Sequence, residues 1–316
     1  MLHVWSDILL AADSQQVTLL GLSDLSSAFN CVDHEILLQP LEIGVCFSGV
    51  VLDWIRSFLT DRTQQVTYNG RLSPVSVILY GVPQGSVLKP LLYLLYTAEL
   101  NYVVARHHLH PHQYADHCHI YDSSSVDTVT APVHRLAACL TEVEDWMMVS
   151  RLQLNASKTE VMWLGSNQQL QRFDIPNVDI LSTTIEVTDT ARDLGVVIDS
   201  QLTLSAHVEA LTRSCYHQLC QLSSIIWSLS TEGTRTLVQA FISCRCKSLL
   251  YGISDGLLRR LQSVQNAAAQ LVTGTHRHEH TTPVLRQLHW LPLRQRIQAC
   301  WVRVPVYCRP STAVPR

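Results

Sequence analysis

Two aspartates stand at points where extended segments of the sequence are expected to end. The apolar run "VTLLGLSDL" includes Asp24, and "HQYADHCHIYD" is typical of a short hairpin with Asp116 at its turn. In an antiparallel sheet both carboxylates would lie side by side at one edge, where oxygen ligands of this kind suit Mg²⁺. An aspartate at a strand end is also a common turn former, so a metal site and an ordinary turn both stay open.

Histidines around Asp116 allow a different kind of metal site. Imidazole and thiolate groups at short spacing can form a tetrahedral zinc site. The candidate ligands are His107, His108, His110, His112, His117, Cys118 and His119. No pair among them has the spacing of a known zinc module, and "HHLHPH" fits a surface loop between a helix and the hairpin. Zinc therefore stays an alternative to the magnesium site.

The composition is that of a globular protein. With 316 residues, of which 47% are hydrophobic and 16% charged, the chain can bury a sizeable core and is expected to form two lobes. No window reaches the run of about 18 apolar residues that a membrane span needs, and the first residues carry an early acid without a cationic lead, so no signal peptide is expected. Ten cysteines without a C-x-x-C spacing predict reduced thiols in an intracellular protein, of the cytoplasm or the nucleus.

Charge is divided unevenly along the chain. Residues 1–202 hold 10 Lys and Arg against 22 Asp and Glu, whereas residues 203–316 hold 13 against 4. A basic half beside an acidic half is the pattern expected of a polyanion-binding lobe next to a cation-binding lobe. Uneven surface composition in a two-domain chain is the alternative explanation.

The periodicity of apolar residues predicts mixed helices and strands first, and helices alone afterwards. Helices are predicted for "VWSDILLAADSQQ", "DHEILLQPLEIGV", "SGVVLDWIRSFLTDR", "GSVLKPLLYLLYTAEL" and "APVHRLAACLTEVEDWMMVSRL". Asn69-Gly70 predicts a tight hairpin turn, "TEVMWLG" a strand and "ARDLGVVIDSQL" an extended pair. From Ser205 onward nearly every residue is expected to be helical.

Seven sequence blocks follow one another along almost the whole chain. They are "LSDLSSAFNCVDHEILLQPLE", "DWIRSFLTDRTQQVTYNG", "GVPQGSVLKPLLYLLYTAEL", "YADHCHIY", "LQLNASKTEVMWLG", "DLGVVIDSQLT" and "VQNAAAQLVTGT" with "LHWLPLRQRI". Their order and spacing resemble those of the reverse transcriptases of LINE-type retrotransposons, in particular the Jockey and chicken-repeat group. The resemblance implies an α+β fold of the right-hand polymerase type, with a ferredoxin-like antiparallel palm sheet followed by an all-α thumb.

The resemblance also implies a catalytic site. Asp24 matches the first metal-binding carboxylate of the palm, and Asp116 matches the first aspartate of the Y-x-D-D turn. In polymerases of this type two Mg²⁺ ions activate the primer 3′-hydroxyl and stabilise the leaving pyrophosphate. Lys158 matches the palm lysine that is thought to protonate the pyrophosphate. An RNA template, a DNA primer and deoxynucleoside triphosphates are the partners implied, with no membrane.

Further positions match the family's substrate contacts. Phe29 falls where an aromatic ring blocks the sugar 2′-hydroxyl, although a core aromatic would fit the same position. The loop under the incoming nucleotide corresponds to Pro83, Gln84 and Gly85, and Tyr114 begins the metal-binding turn. Leu194 and Gly195 match the hairpin that grips the primer.

Several positions depart from the family pattern. His117 replaces the second aspartate of the turn, and an imidazole near two Mg²⁺ ions does not neutralise them, so the metal site should be weakened. Asn30 replaces an aspartate, and Lys89 replaces the glycine of "GSVLGP". The segment "ISCRCKSLLYG" lacks a few residues that are found in the family's thumb. The residues after Ile297 leave the pattern and are expected to be irregular.

The resulting expectation is a palm over residues 1–202 and a helical thumb with a C-terminal region over residues 203–316. Only 23 residues precede Asp24, so a truncated copy without fingers or endonuclease is expected. A lid that positions the triphosphate and excludes water would then be missing. An inactive or strongly impaired RNA-directed DNA polymerase is therefore predicted, and a non-catalytic nucleic-acid-binding remnant acting through its basic C-terminal half is the alternative.

Overall fold

The computed structural model describes residues 2–24, 28–83, 85–155, 158–180, 183–243, 250–276 and 279–302. The chain packs into two compact units. The first, called the sheet unit, consists of residues 15–163 and 168–188, and the second, called the helical unit, of residues 1–14, 164–167 and 189–316. Residues 189–202, which the sequence analysis assigned to the palm, thus pack with the helical unit.

The sheet unit contains most of the strands. Its strands are β1 (Val17–Asp24), β2 (Arg62–Gln64), β3 (Thr67–Tyr68), β4 (Arg71–Leu72), β5 (Ser76–Ile78), β6 (His110–Tyr114), β7 (His117–Ser124), β8 (Glu160–Leu164), β9 (Asn177–Ile180) and β10 (Thr183–Glu186). Its helices are α2 (His34–Ile43), α3 (Val50–Leu59), α4 (Leu88–Tyr96), α5 (Ala98–Arg106) and α6 (Thr130–Val149), with the short α7 (Asn167–Leu170) at the boundary between the units. Short 3-10 helices cover Ala28–Asn30 and Val126–Thr128.

The central sheet has four strands in the order β6-β7-β1-β8. Strand β7 pairs antiparallel with β6 on one side and with β1 on the other. Both faces of β1 are buried. Val17 and Leu19 are buried on one face of the strand, and Leu20 is buried on the other. An apolar run with little alternation is what a strand buried on both faces requires. The sequence prediction of a strand ending at Asp24 is confirmed.

Helix α6 illustrates how the core of the sheet unit is built. Its buried residues include Leu136, Cys139, Leu140, Val143 and Met147, which recur every three or four positions and so form one face. They join residues of β1, β7 and helices α2, α4 and α5 in one continuous hydrophobic core. The amphipathic pattern that predicted this helix is confirmed.

The predicted buried helix over residues 85–100 is interrupted. Helix α4 ends at Tyr96 and α5 begins at Ala98, so the prediction of one helix was wrong. At Thr97 the buried hydroxyl donates a hydrogen bond of 3.0 Å to the carbonyl of Tyr93. A threonine hydroxyl that bonds back to the preceding turn competes with the regular helical pattern, which explains a break at this residue.

Two hairpins test the turn predictions. Tyr68 pairs with Arg71 across Asn69 and Gly70, both of which have positive φ, so the predicted tight turn is confirmed. The antiparallel pair β9 and β10, in contrast, was missed. It is small and largely exposed on one face. Its sequence does carry a strand signal, because Val178, Ile180, Thr183 and Ile185 are β-branched and pair across the two strands, but that signal was not used in the sequence prediction.

The helical unit contains α1 (Leu2–Asp13), β11 (Thr190–Asp193), β12 (Val196–Asp199), α8 (Ser205–Ile225), α9 (Thr231–Ser243), α10 (Asp255–Thr273), α11 (Thr281–Gln287) and α12 (Leu293–Val302), with a 3-10 helix at Ile226–Ser228. Local sequence signals set both ends of helix α10. Ser254 caps its start, and Gly274 ends it in the left-handed conformation. Its apolar face packs against α8, α9, α11 and α12. Within the described residues, no helix is long and apolar enough to cross a membrane.

Candidate active site

The two sequence-predicted aspartates come together at one end of the central sheet. Asp24 is the last residue of β1 and lies opposite His117, the first residue of β7. Asp116 immediately precedes His117, in the turn that joins β6 to β7. The backbone therefore places Asp24 and Asp116 on neighbouring strands at the same edge, as expected. The side chain of Asp24 is not among those that the structure describes. The roles of both carboxylates therefore remain predictions.

The turn that carries Asp116 is tight. Tyr114 pairs with His117, so only Ala115 and Asp116 connect the two strands. Ala115 has φ 56°, a left-handed conformation that costs a residue with a Cβ atom roughly 1–2 kcal/mol. Strained backbone of this kind is found where a loop must hold a functional side chain in one direction. Tyr114 itself is more than half exposed at the end of β6.

Beside this turn, Cys118 is sealed inside the sheet. Its carbonyl accepts a hydrogen bond of 3.2 Å from the hydroxyl of Ser23, and its side chain is buried. Burial raises the pKa of the Cys118 thiol to about 12. Burial of this side chain leaves the thiol out of contact with solvent on the inner face of the sheet.

The histidines of this region make other contacts. His107 lies 2.6 Å from a carboxylate oxygen of Glu142, which ties the end of α5 to α6. The rings of His112 and His119 stack at 5.8 Å across β6 and β7, and His110 stacks on Tyr121. Over the described part of the chain, no group of three or more His, Cys, Asp or Glu side chains could hold a metal ion. The zinc alternative thus has no support there, and "HHLHPH" includes the start of a strand rather than only a loop.

Phe29 lies in the 3-10 helix that follows β1, and its surroundings are closely packed. Its carbonyl accepts a 3.0 Å hydrogen bond from the amide of Val82. A Cβ atom at Gly81, which has φ 85°, would meet backbone atoms of Phe29 and Asn30 at 3.0–3.1 Å, so only glycine fits. The ring contacts that of Tyr93 at a centroid distance of 4.5 Å, and the Lys89 ammonium lies 4.2 Å from its centroid.

The loop after Gly81 carries the three predicted nucleotide-contacting residues. Pro83 is half-buried, Gly85 is exposed with φ 81°, and Gln84 lies outside the described residues. Nothing would contact a Cβ atom at Gly85, so its glycine is required by backbone conformation alone.

The remaining predicted residues lie elsewhere. Lys158 is exposed and donates its amide to the carbonyl of Asn155 just before β8, the strand next to β1 in the sheet. Leu194 and Gly195 form the two-residue turn between β11 and β12, both with positive φ, in the helical unit. The structure thus brings together Asp24, Asp116 and Tyr114 at one sheet edge, and describes the predicted primer-grip turn separately.

An ion pair between the buried Asp33 and the exposed Arg151, close in sequence to Phe29, was missed by the sequence analysis. Asp33 caps α2 by accepting the amides of Glu35 and Ile36, and its other oxygen lies 3.0 Å from the Arg151 guanidinium. Its own amide donates to the Tyr96 hydroxyl, and burial raises the pKa of Tyr96. The capping role has a sequence signal, an aspartate before "HEILL". The pairing with Arg151, far away in the chain, has none.

A mixed helix-and-sheet unit with two aspartates meeting at the end of antiparallel strands is consistent with a polymerase palm. The family model described as "Reverse transcriptase (RNA-dependent DNA polymerase)" matches residues 4–198. That match covers more than half of the chain, and the chain therefore belongs to the reverse transcriptase family.

Relatives with similar sequences are polymerases of mobile elements. The chain is 28% identical over 301 residues to the "Probable RNA-directed DNA polymerase from transposon BS" of Drosophila melanogaster, covering 92% of this chain and 33% of the relative. It is 27% identical over 292 residues to the "RNA-directed DNA polymerase from mobile element jockey" of Drosophila funebris, covering 89% and 30%. The predicted resemblance to the Jockey group is confirmed, and the chain spans about a third of the length of these curated relatives.

Solved structures of telomerase are also similar. One is telomerase from Candida albicans in complex with a TWJ fragment of telomeric RNA, with a TM-score of 0.49 and 13% identity over 95% of this chain and 48% of that one. Another is apo telomerase from Candida tropicalis, truncated from its C-terminal domain, with a TM-score of 0.44 and 12% identity over 63% and 37%.

Proposed function

We propose that this chain is the palm and thumb portion of an RNA-directed DNA polymerase, which adds deoxynucleotides to a DNA primer on an RNA template. The palm corresponds to the sheet unit and the thumb to the helical unit. One observation carries the proposal. The register of β1 against β7 sets Asp24 next to the turn residue Asp116, on a chain that belongs to the reverse transcriptase family.

The residues at this edge suit a hard cation. Asp24 and Asp116 would hold Mg²⁺ through carboxylate oxygens, the ligands it prefers. When bound, the metal supplies charge that activates the primer hydroxyl and stabilises the leaving group. The family's third metal-binding carboxylate is replaced here by His117, whose imidazole offers a nitrogen atom and no negative charge. We therefore propose a site that fits the metal but binds it more weakly than three carboxylates would.

The other roles follow the position of each residue. Phe29 would lie against the sugar, and the loop with Pro83, Gln84 and Gly85 would support the incoming nucleotide. The bare backbone at Gly85 favours close approach of a ligand, because no Cβ atom stands in the way. Lys158 would give a proton to the leaving pyrophosphate, and Tyr114 would contact substrate from the end of β6. The turn at Leu194 and Gly195 would hold the primer.

Primer extension tests the proposal. Purified protein is given an RNA template, a labelled DNA primer and deoxynucleoside triphosphates, with Mg²⁺ or Mn²⁺. The wild-type chain is expected to extend the primer slowly, His117→Asp faster, and Asp116→Asn not at all. If neither the wild type nor His117→Asp extends the primer under any metal, catalysis by this site is contradicted.

A second candidate function is nucleic-acid binding without catalysis, through the helical unit. The arginines at 213, 235 and 294 pair with Glu209, Glu232 and Asp255. Arg259, Arg260 and Arg286 are exposed, and none forms an ion pair with a carboxylate of the described residues. Guanidinium groups that no carboxylate neutralises are suited to phosphate contacts on a helical surface. Arg259 also donates a hydrogen bond of 3.3 Å to the carbonyl of Asp255, which leaves its other N–H groups for such contacts.

Filter binding of the whole chain to a labelled RNA–DNA duplex at several salt concentrations tests this candidate. A slope of roughly −0.7 to −0.9 per neutralised phosphate in the log-log plot is expected. Changing Arg259, Arg260 and Arg286 to glutamine should reduce both the affinity for the duplex and the slope of its salt dependence. The same change at Arg213, which is paired with Glu209, should reduce both by less. Binding that does not respond to salt contradicts it.

A further inference from the structure

Helix α4 presents two side chains to the ring of Phe29. Lys89 lies in its first turn and Tyr93 one turn later, so the two share a face of the helix. The Lys89 Nζ atom lies 4.2 Å from the ring centroid, and the Tyr93 ring centroid lies 4.5 Å from it. A cation over an aromatic face at this distance is attracted by the ring's electron density.

The backbone of Phe29 is fixed independently of these contacts. Its carbonyl accepts the Val82 amide at 3.0 Å, and the Gly81 amide donates to the Val32 carbonyl at 2.8 Å. The Gly81 carbonyl in turn lies 3.0 Å from His34 Nε2. Because the main chain is held in this way, the freedom left at Phe29 is rotation of its ring about the side-chain bonds.

Lys89 has no competing electrostatic partner in the part of the chain that the structure describes. No carboxylate among those side chains pairs with its ammonium, and its side chain is half-buried against the protein. The contact with the Phe29 ring is thus the side-chain interaction that the structure records for Lys89. Changing Lys89 should act on the site through that ring.

We propose that Lys89 is a positioning residue that holds the Phe29 ring in place and thereby sets how strictly the site discriminates between deoxyribose and ribose. The inference rests on the proposed function, in which Phe29 lies against the sugar. A ring held by an ammonium at one face and by Tyr93 cannot swing away from a bulky sugar as readily as a ring held by Tyr93 alone. A half-buried cation–π contact favours the observed ring position over other positions by a factor of about five. We expect the same factor in the ratio of the affinities for the deoxynucleotide and the ribonucleotide.

Two substitutions separate the charge of Lys89 from its bulk. Lys89→Met keeps an unbranched stem and removes the cation, whereas Lys89→Arg keeps a cation that can lie over the ring. Affinities for a deoxynucleoside triphosphate and the matching ribonucleoside triphosphate are measured by competition with a fluorescent nucleotide. Lys89→Met is expected to lower the ratio of the two affinities about five-fold, and Lys89→Arg to retain it. An unchanged ratio in Lys89→Met overturns the proposal.

A second measurement needs no nucleotide. The chain has five phenylalanines, so labelling with 4-fluorophenylalanine gives few ¹⁹F signals, and Phe29→Leu identifies the one at Phe29. Lys89→Met should shift and sharpen that signal as the ring rotates faster, and Lys89→Arg should resemble the wild type. Arg71→Met, at an exposed position of the β3–β4 hairpin, should leave the signal unchanged. An unaffected Phe29 signal in Lys89→Met, with an intact melting transition, also overturns the proposal. A wild type that binds no nucleotide contradicts the proposed function instead, while the ¹⁹F signal still decides whether Lys89 positions the ring.

Discussion

Asp24 and His117 lie opposite each other at the end of the pairing between β1 and β7. The imidazole therefore occupies a place directly across from the first predicted carboxylate and directly after the second, Asp116. A residue at this position contributes to the charge of the site whichever way its side chain turns, because charges a few ångströms apart interact strongly near a protein surface. The substitution of aspartate by histidine is thus a change in the candidate metal site itself.

Restoring a carboxylate at this position should strengthen metal binding. His117→Asp is expected to raise the affinity for Mg²⁺ at least about tenfold, since one more negative charge a few ångströms away adds more than 1 kcal/mol. Titration calorimetry with Mg²⁺ measures the affinity. His110→Asp adds the same charge at the exposed start of β6, farther along the hairpin, and should change the Mg²⁺ affinity little. Equal gains in both variants would indicate a general charge effect.

The Asp33 cap should contribute to stability through two separable contacts. Asp33→Asn can still accept the amides of Glu35 and Ile36 but loses the ion pair with Arg151, whereas Asp33→Ala loses both. We expect Asp33→Ala to lower the free energy of unfolding by about 2 kcal/mol and Asp33→Asn by about half as much. Urea denaturation gives both values. Equal losses would mean that the cap contributes nothing.

Gly81 and Gly85 offer a matched pair of glycines. Both have φ above 80°, but a Cβ atom would clash with the backbone only at Gly81. Gly85→Ala should lower the free energy of unfolding by about 1–2 kcal/mol, because alanine is strained at this positive φ. Gly81→Ala should lower it clearly more, because the added Cβ atom also meets the fixed backbone of Phe29 and Asn30. Thermal unfolding of the two variants, side by side, measures the difference, and similar losses would show that the loop can shift.

Two buried thiols should make stability depend on alkaline pH. Burial raises the pKa of Cys118 and of Cys139 to about 12, from 9.0 in the unfolded chain. A raised pKa means that the unfolded chain loses these protons first, so stability is complete below pH 9 and falls as pH rises towards 12. The slope should approach about 1.4 kcal/mol per pH unit for each thiol.

Substitutions and a thiol reagent check that slope. Cys139→Ala should reduce it, whereas Cys46→Ala, at an exposed position, should leave it unchanged. In the folded protein at pH 8, iodoacetamide should modify Cys46 and Cys220 and spare Cys118 and Cys139. Rapid modification of Cys118 without unfolding would show that the sheet opens at this end.

Sequence patterns predicted what depends on local periodicity. The apolar run of β1, the repeat in α6 and Asn69-Gly70 each determine their own element, because the burial of a face or a positive φ is written in neighbouring residues. Long-range relations escaped such reasoning. That Arg151 reaches Asp33, or that Lys89 covers the ring of Phe29, depends on how helices meet in space. The break at Thr97 depends on one hydroxyl that competes with the helix.

The sheet unit also exposes apolar side chains. Val75, Val77 and Leu79 lie in the short segment that contains β5 (Ser76–Ile78), and all three side chains are exposed. Among the described residues, strand β5 pairs with β2 alone, in a two-stranded sheet, so its other edge has no strand partner there. An exposed apolar face at an open edge promotes association of chains.

Concentration-dependent association is therefore expected through this segment, residues 75–79. Replacing Val75, Val77 and Leu79 by threonine keeps the β-branched shape at two of the positions and removes apolar surface at all three. The triple variant should remain monomeric at a protein concentration where the wild type sediments as larger species in analytical ultracentrifugation. Tyr102→Thr, which removes one exposed side chain from α5, should behave as the wild type because single exposed apolar residues are ordinary. A wild type that stays monomeric at high concentration, or a triple variant that associates as before, would show that this face does not drive association.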